Sequence, residues 1–340
     1  MSVTELAEAT PVGSAEAPEG QKLAGRSPTQ IALARLRKDK VAVVCSAIVV
    51  LLVLGAVLAP VISKILHIFP TTATIPYQPY NMLSFYADQL PIHGPPNHGF
   101  WAAHPLGIAP GTAVDNLSAL LYGLRTDLLI ATTATVVSTV IGVVLGLMAG
   151  FSRGWLDRII MFVTDLFLSF PFLLGALAMA PILTERFGQG ANSSGRLAHA
   201  QLIALMLILS FFYWMPLTRL IRGQVLSLRE REFVQAALVM GVPTRRILFK
   251  ELLPNLVAPI VVATSLTLPG LITAEAGLSY LGIGVTETPS LGQIIFLAQN
   301  YWQTYPLYLW APVLTICVLV VTLNLVGDSI RDAFDPRTRR

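Results

Sequence analysis

The sequence predicts an all-α, polytopic membrane fold, a bundle of six spanning helices with one long cytoplasmic loop. Composition is the first reason: hydrophobic residues make up 54% of the 340 residues and charged residues only 12%, about half the roughly 25% of a soluble domain. The second is a set of stretches free of Asp, Glu, Lys and Arg. They run from Lys40 to Lys64, Asp127 to Arg153, Asp165 to Glu185, Arg196 to Arg219, Glu251 to Glu275 and Glu287 to Asp328, and a helix needs about 20 mostly apolar residues to cross the hydrocarbon core. The third is charge segregation. With the N-terminus inside, nineteen of the 23 Lys and Arg residues fall in inner segments and four, Lys64, Arg125, Arg186 and Arg196, in outer ones, the bias that sets membrane orientation. Both termini are therefore expected in the cytoplasm of a cell-membrane protein. The net charge of +4 has the same origin and implies no nucleic-acid partner.

Residues 1–26 are rich in Ala, Glu, Pro and Gly, too poor in large apolar side chains to order themselves, and are expected to form a disordered cytoplasmic tail. Ser27-Pro28-Thr29-Gln30 has the form of a capping box with Pro at the first helical position. It opens a basic amphipathic helix, 27–40, expected to lie along the inner membrane surface. The run 41–63 reads as an uncleaved first spanning helix, because its length and the acidic tail before it argue against a signal peptide. Residues 64–126 form an external segment rich in Pro and in aromatics such as Tyr77, Phe100 and Trp101, read as a belt on the membrane surface or a lid over the external mouth.

The core, 127–327, holds helices two to six. Helix two, 128–150, spaces Gly142, Gly146 and Gly150 by four, which puts small residues on one face for close helix approach. Helix three is expected to reach about Ala180 with a kink at Pro171, and helix four to span 200–220. Helix five, 255–281, contains Pro259 and Pro269, and helix six, roughly 306–327, contains Pro312; such prolines suit helices that must bend. Residues 328–340 form a cytoplasmic C-terminal tail. Cys45 and Cys317, the two cysteines, lie in apolar runs and read as packing residues.

The chain has no Gly-Lys dipeptide, so it lacks a phosphate-cradling Walker A loop, and it has no His-Glu-x-x-His. No catalytic role is expected, and no cofactor or metal. His93, His98 and His104 read as plain residues of a Pro-rich loop. The informative stretch is the cytoplasmic loop 227–255. Ser227 and Glu230 have the form of a capping box, Gly241 is placed to close the helix in a left-handed conformation, and Pro243 prevents its resumption. Thr244 can cap a second short helix ending at Pro254. Phe233, Ala237 and Met240 fall on one helical face with Ala236 beside them. Such a part fits a groove on another protein, or alternatively lies on the membrane surface.

This stretch resembles the EAA loop of ABC importer permeases, whose pattern is Glu-Ala-Ala, three residues, Gly, nine residues, then Ile-x-Leu-Pro. Ala236, Ala237, Gly241, Leu253 and Pro254 fall in register, whereas Gln235 stands at the Glu position and Glu251 at the Ile position. Glu232, three residues earlier, matches the peptide branch of the family. Three further segments narrow the resemblance to dipeptide and oligopeptide permeases of the DppC/OppC type: 35–40 before helix one, Glu275 to Gly284, and Asn324 to Pro336. His104-Pro-Leu-Gly107 and Leu120-Leu-Tyr-Gly123 also match, but the Thr-Asp and Gly-Arg-Asp elements usual between them are not recognisable.

The resemblance implies the fold of type I ABC importer permeases and a coupling helix built from Glu232, Phe233, Ala236, Ala237, Met240 and Gly241, with Leu253 and Pro254 closing the motif. It also implies partners: a second permease, two ATPase domains that bind ATP and Mg, an extracytoplasmic binding protein, and a peptide substrate. Nickel chelates, haem and glutathione are lesser substrate expectations. Asp165 and Glu275, intramembrane carboxylates, are candidate pathway or gate residues. An ion-driven secondary transporter would want paired polar groups at mid-membrane and inverted repeats, neither of which is evident; a membrane-anchored scaffold without transport is the other rival.

Overall fold

The structure, a computed structural model, describes residues 33–68, 83, 90–95, 99–152, 154–188, 194–285 and 288–334. The expected tail 1–26, the capping box at Ser27, His98 and the residues from 335 onward lie outside the described residues, as does most of the segment 64–98. Among the described residues the regular elements are helical, with two isolated β-bridges in the outer segment.

α1, Lys40–Val57, starts at Asp39, whose carboxylate accepts the Val41 N–H at 2.9 Å. The predicted single helix 41–63 is in fact two. Pro60, which has no N–H to give, sits in the first turn of a separate helix α2, Ala59–Leu66. The predicted inner helix 27–40 likewise gives way to a turn at Arg37 and Lys38 before α1 begins.

α3, Asn116–Phe151, is 36 residues long, about 54 Å at 1.5 Å per residue and far beyond the ~30 Å hydrocarbon core. The helix therefore begins inside the stretch expected to be the external segment 64–126. The cap that sets this start is Asp115, whose side chain accepts the Ser118 N–H at 2.7 Å. α4, Trp155–Leu168, and α5, Phe172–Gly188, meet at 91°. The expected kink at Pro171 is thus a complete break, since proline both lacks the bond-forming N–H and disfavours helical geometry at Phe170.

α6, Ser194–Tyr213, and α7, Met215–Arg229, together make a 34-residue span, Arg196–Arg229, that runs past the expected end at Leu220. α8, Glu232–Val239, follows. α9, Leu253–Tyr280, is entered through one α turn at Thr244–Arg246 and a π turn at Ile247–Leu252. α10, Leu291–Ala298, and α11, Pro306–Phe334, complete the order. Among the described residues five of these helical runs are long and apolar enough to span a membrane, and the broken pair α4–α5 makes a sixth if the two helices form one span.

The glycine stripe on α3 is where α7 packs. A Cβ on Gly146 would stand 2.7 Å from Cβ of Ile221, one on Gly150 would stand 2.6 Å from Cβ of Val225, and one on Gly142 would stand 2.9 Å from the Trp214 carbonyl. Only glycine permits this approach. One buried apolar cluster joins α3, α6, α9, α10 and α11 through residues such as Ile130, Leu209, Leu271, Leu291 and Leu319. A second, at the end carrying the loop 227–255, contains Leu147, Ile221, Val225, Val234, Ala237, Ile247 and Leu256. Cys45 is buried, as expected of a packing residue, but Cys317 is exposed on the outside of α11.

Antiparallel packing brings the start of α1 to the end of α11. Ser329 shares a 2.9 Å hydrogen bond with Asp39, and Arg35 Nη1 donates to the Ala333 carbonyl. At the other end of the bundle Ser63 of α2 meets Ser118 of α3 at 2.9 Å. Since α3 runs from that end to the loop, the ends of α1 and α11 that meet lie on the same side as the loop.

Candidate functional site

The loop 227–255 is built on the ends of two long helices. Arg229, the last residue of α7, turns its guanidinium onto the carbonyls of Gly150 and Phe151 at the end of α3, at 3.5 and 3.3 Å, where a cation offsets the negative pole of the helix. The carbonyl of Arg229 in turn accepts from the Gln235 side-chain amide at 2.8 Å. A glutamate at 235 could not donate this bond, so the local departure from the family pattern has a structural use. The expected capping box does not form: Ser227 lies inside α7, and α8 starts after Arg231 in extended conformation without a side-chain cap. Nor does Thr244 cap a helix, being the first residue of a turn that follows Pro243.

α8 ends in a Schellman motif. Gly241 lies at φ +71°, its N–H bonds the Leu238 carbonyl at 3.1 Å, and the Val242 N–H bonds the Ala237 carbonyl at 3.0 Å. That motif brings the residue after the glycine against the residue three before the cap. Val242 and Ala237 both belong to the inner apolar cluster. Here a sequence expectation is overturned: Ala237 is 6% exposed and Val234 is fully buried, so Ala237 faces the chain's own core and not outward with Phe233 and Met240. Burying Val234 contributes about 2 kcal/mol to holding the helix in place.

The outward face of α8 consists of Phe233, Ala236, Leu238, Val239 and Met240, with Glu232 exposed in the first turn. Val239 is 87% and Met240 73% exposed, the largest apolar exposure on this loop. Val239 and Leu238 were not singled out from sequence, although the Schellman geometry at Gly241, which turns Ala237 inward, could have found them.

Leu253 and Pro254 do not end a helix as expected. The Leu253 N–H reaches back five residues to the Leu248 carbonyl, and this widened turn passes the proline so that the chain continues into α9 without a break. Leu253 packs on the inner cluster, and Pro254 is exposed. The loop is therefore a short exposed helix rigidly buttressed by α3, α7 and the π turn, with Leu252 and Leu256 fully buried beneath it.

The two candidate carboxylates have different surroundings. Asp165 on α4 accepts from Arg219 Nη2 at 2.6 Å and Nε at 3.0 Å, and the pair is about half exposed. A second pair, Asp157 with Arg222 at 2.6 and 2.8 Å, ties the same two helices. Glu275 on α9 is wholly buried, accepts from the Ser279 hydroxyl at 2.7 Å, and stands against Asp127 of α3. Asp127 was read from sequence only as a helix boundary.

At the end opposite the loop, the segment before α3 is pinned in place. Asp115 receives His104 Nδ1 at 2.7 Å while capping α3, and the Asn116 amide donates to Leu106 and to the Tyr305 hydroxyl. Burial pushes the Tyr305 hydroxyl up to about 12, so it remains a donor to the Leu106 carbonyl over the physiological range. Gly107, at φ +71°, leaves no room for a side chain beside Tyr305. Among the described residues no group of three or more His, Cys, Asp or Glu is arranged to hold a metal.

Comparison with known proteins gives two family matches. Residues 142–340 match the binding-protein-dependent transport system inner membrane component, and residues 27–96 match the N-terminal TM domain of oligopeptide transport permease C. The oligopeptide transport system permease protein OppC of Bacillus subtilis is 31% identical over 335 residues, covering 96% of each chain. The protein of the same name from Mycobacterium tuberculosis H37Rv is 34% identical over 226 residues, covering 66% of this chain and 73% of its own. A chain of the MetNI methionine ABC transporter, solved facing inward, superposes with a TM-score of 0.51 at 22% identity, covering 64% of this chain and 96% of that one.

Proposed function

This chain belongs to the family of binding-protein-dependent transport system inner membrane components, and from that membership we propose that it is one of two permease subunits of an ATP-driven importer for peptides. The names of its relatives, permeases of oligopeptide transport systems, favour peptides over nickel chelates, haem or glutathione. In this reading the chain sits multi-pass in the cell membrane with both termini cytoplasmic, beside a second, different permease. An extracytoplasmic binding protein delivers the substrate. ATP and Mg belong to two ATPase domains docked on the cytoplasmic side, and the chain itself hydrolyses nothing.

The observation that carries the proposal is the exposed apolar face of α8 on a base that cannot give way. Phe233, Leu238, Val239 and Met240 offer a hydrophobic contact, while Val234, Ala237 and Ile247 anchor the same helix in the inner cluster. Movement imposed on α8 by an ATPase therefore passes to α3 and α7 as a rigid-body displacement. Glu232, Ala236 and Gly241 set the orientation of that lever, and Leu253 and Pro254 join it to α9. The Asp165–Arg219 pair stands half exposed between α4 and α7, and we assign it to the translocation pathway. Glu275, being enclosed, acts as a gate element and not as a pathway lining.

The test is uptake of a labelled oligopeptide into proteoliposomes containing this chain, its partner permease, the ATPases and the binding protein. Uptake is expected only with ATP and with every component present. Uptake driven by an ion gradient without the ATPases, or hydrolysis of ATP by this chain alone, would overturn the proposal.

A further inference from the structure

Asp127 of α3 and Glu275 of α9 are both 0% exposed. Glycines bring them together. A Cβ on Gly123 would stand 3.2 Å from the backbone of Ser290 and of Leu291, and one on Gly292 would collide with the backbone of Ala276. α10 can therefore lie directly on both α3 and α9, and the two carboxyls sit at the three-way contact. Asp127 Oδ2 accepts the Leu291 N–H at 3.3 Å, and Glu275 Oε1 accepts from Ser279 at 2.7 Å. Asp127 lies against Leu291, and Glu275 adjoins Ala276, which Gly292 touches, so both carboxyls stand at the first turn of α10 and act on each other there. Two oxygens, Asp127 Oδ1 and Glu275 Oε2, are left buried without a partner.

Among the described residues no cation offsets this pair. α9 and α10 carry no Lys, Arg or His. On α3, Arg125 is exposed, and neither it nor Arg196 and His199 of α6 acts on either carboxyl. Two ionised carboxylates enclosed side by side repel strongly, and two neutral acids would waste the N-terminus of α10, whose Leu291 N–H is already aimed at Asp127. One proton for two carboxyls satisfies both demands.

We infer that Asp127 and Glu275 form a proton-binding site, a carboxyl and a carboxylate sharing one proton, and that this proton clamps α10 onto α3 and α9 at the end of the bundle opposite the coupling loop. The proton comes from the aqueous phase at that end and returns to it. When it leaves, a second negative charge is enclosed and α10 is released. Just beyond α10 stands Tyr305, which is bonded to Leu106, so the clamp also steadies the segment before α3. The inference does not depend on the substrate or on ATP coupling.

The test uses the full chain in lipid nanodiscs. Infrared spectra are expected to contain a deuterium-sensitive carbonyl stretch of a protonated carboxylic acid at neutral pH, absent from Asp127→Asn. In hydrogen exchange, the protection factor of the α10 amides, normalised to intrinsic rates, is expected to fall about tenfold per pH unit once the proton titrates, as linkage to one proton requires. Asp127→Asn, whose amide N–H replaces the shared proton, should hold protection flat, and Glu275→Gln serves if that variant does not fold. Absence of the acid band in the wild-type chain, protection that does not change with pH, or protection restored at high pH by sodium or potassium would overturn the inference, the last in favour of a metal cation.

Discussion

Replacing Gly241 isolates the geometry of α8, the proposed coupling helix, from its contacts. At φ +71° the residue stands in the left-handed region, and no atom lies within 4 Å of where a Cβ would be. The cost of a side chain is therefore backbone strain alone, roughly 1–2 kcal/mol for an L-residue and more for a β-branched one. Asparagine visits this region readily and should be nearly neutral. Gly241→Ala should lose about fivefold and Gly241→Val tenfold or more in coupled activity, since ~1.4 kcal/mol is a factor of ten. The Schellman bonds from Gly241 and Val242 break first, and Phe233, Val239 and Met240 are misdirected. Membrane insertion should be unchanged, because no spanning helix is touched. The assay is peptide uptake and substrate-stimulated ATP hydrolysis in the reconstituted complex, with co-purification of the ATPase scored beside them. Full activity of Gly241→Val, or an Asn variant as defective as Val, would refute the reasoning.

Val239→Glu places a charge on the exposed face and should abolish ATPase co-purification while leaving the thermal stability of the permease within about 0.5 kcal/mol. Ala237→Glu should instead lower that stability, because the charge enters the cluster of Leu147, Ile221 and Val234; equal stability of the two variants would contradict the inward assignment of Ala237. Gly146→Leu must push Ile221 aside and should cost about 1–3 kcal/mol, read as a lower unfolding temperature in detergent; an unchanged temperature would deny the close α3–α7 contact. The Ser329 hydroxyl bonded to Asp39 holds that carboxyl below the usual carboxylate range. The joint between α1 and α11 is therefore complete above the ordinary carboxylate pKa and is lost as pH falls through the lowered value. Ser329→Ala should move this loss to higher pH in hydrogen exchange of the first turn of α1, and identical profiles would count against it.

Much of the architecture was legible because a membrane imposes simple demands. Uncharged runs of spanning length and the glycine spacing on α3 required no knowledge of tertiary contacts. The left-handed closure at Gly241 was equally local, since a glycine followed by Val-Pro leaves few other conformations. Helix ends were less legible. Asp115 caps α3 so that it starts at 116, twelve residues before the expected start at 128, because a helical segment outside a hydrocarbon core need not obey the apolar rule. Pro171 and Pro254 look alike in sequence, yet one breaks a helix through 91° and the other is absorbed by a π turn.

By itself the sequence determined a polytopic helical permease with a Gly-closed helix in the loop 227–255, because hydropathy and turn chemistry act over a few neighbouring residues. Which face of that helix points outward was decided by tertiary structure. Ala237 and Met240 are equally apolar in the chain, and only the Schellman turn and the cluster beneath it bury one and expose the other. The meeting of Asp127 with Glu275 was likewise invisible, because it depends on Gly123 and Gly292 admitting α10 between two helices whose residues are far apart in sequence.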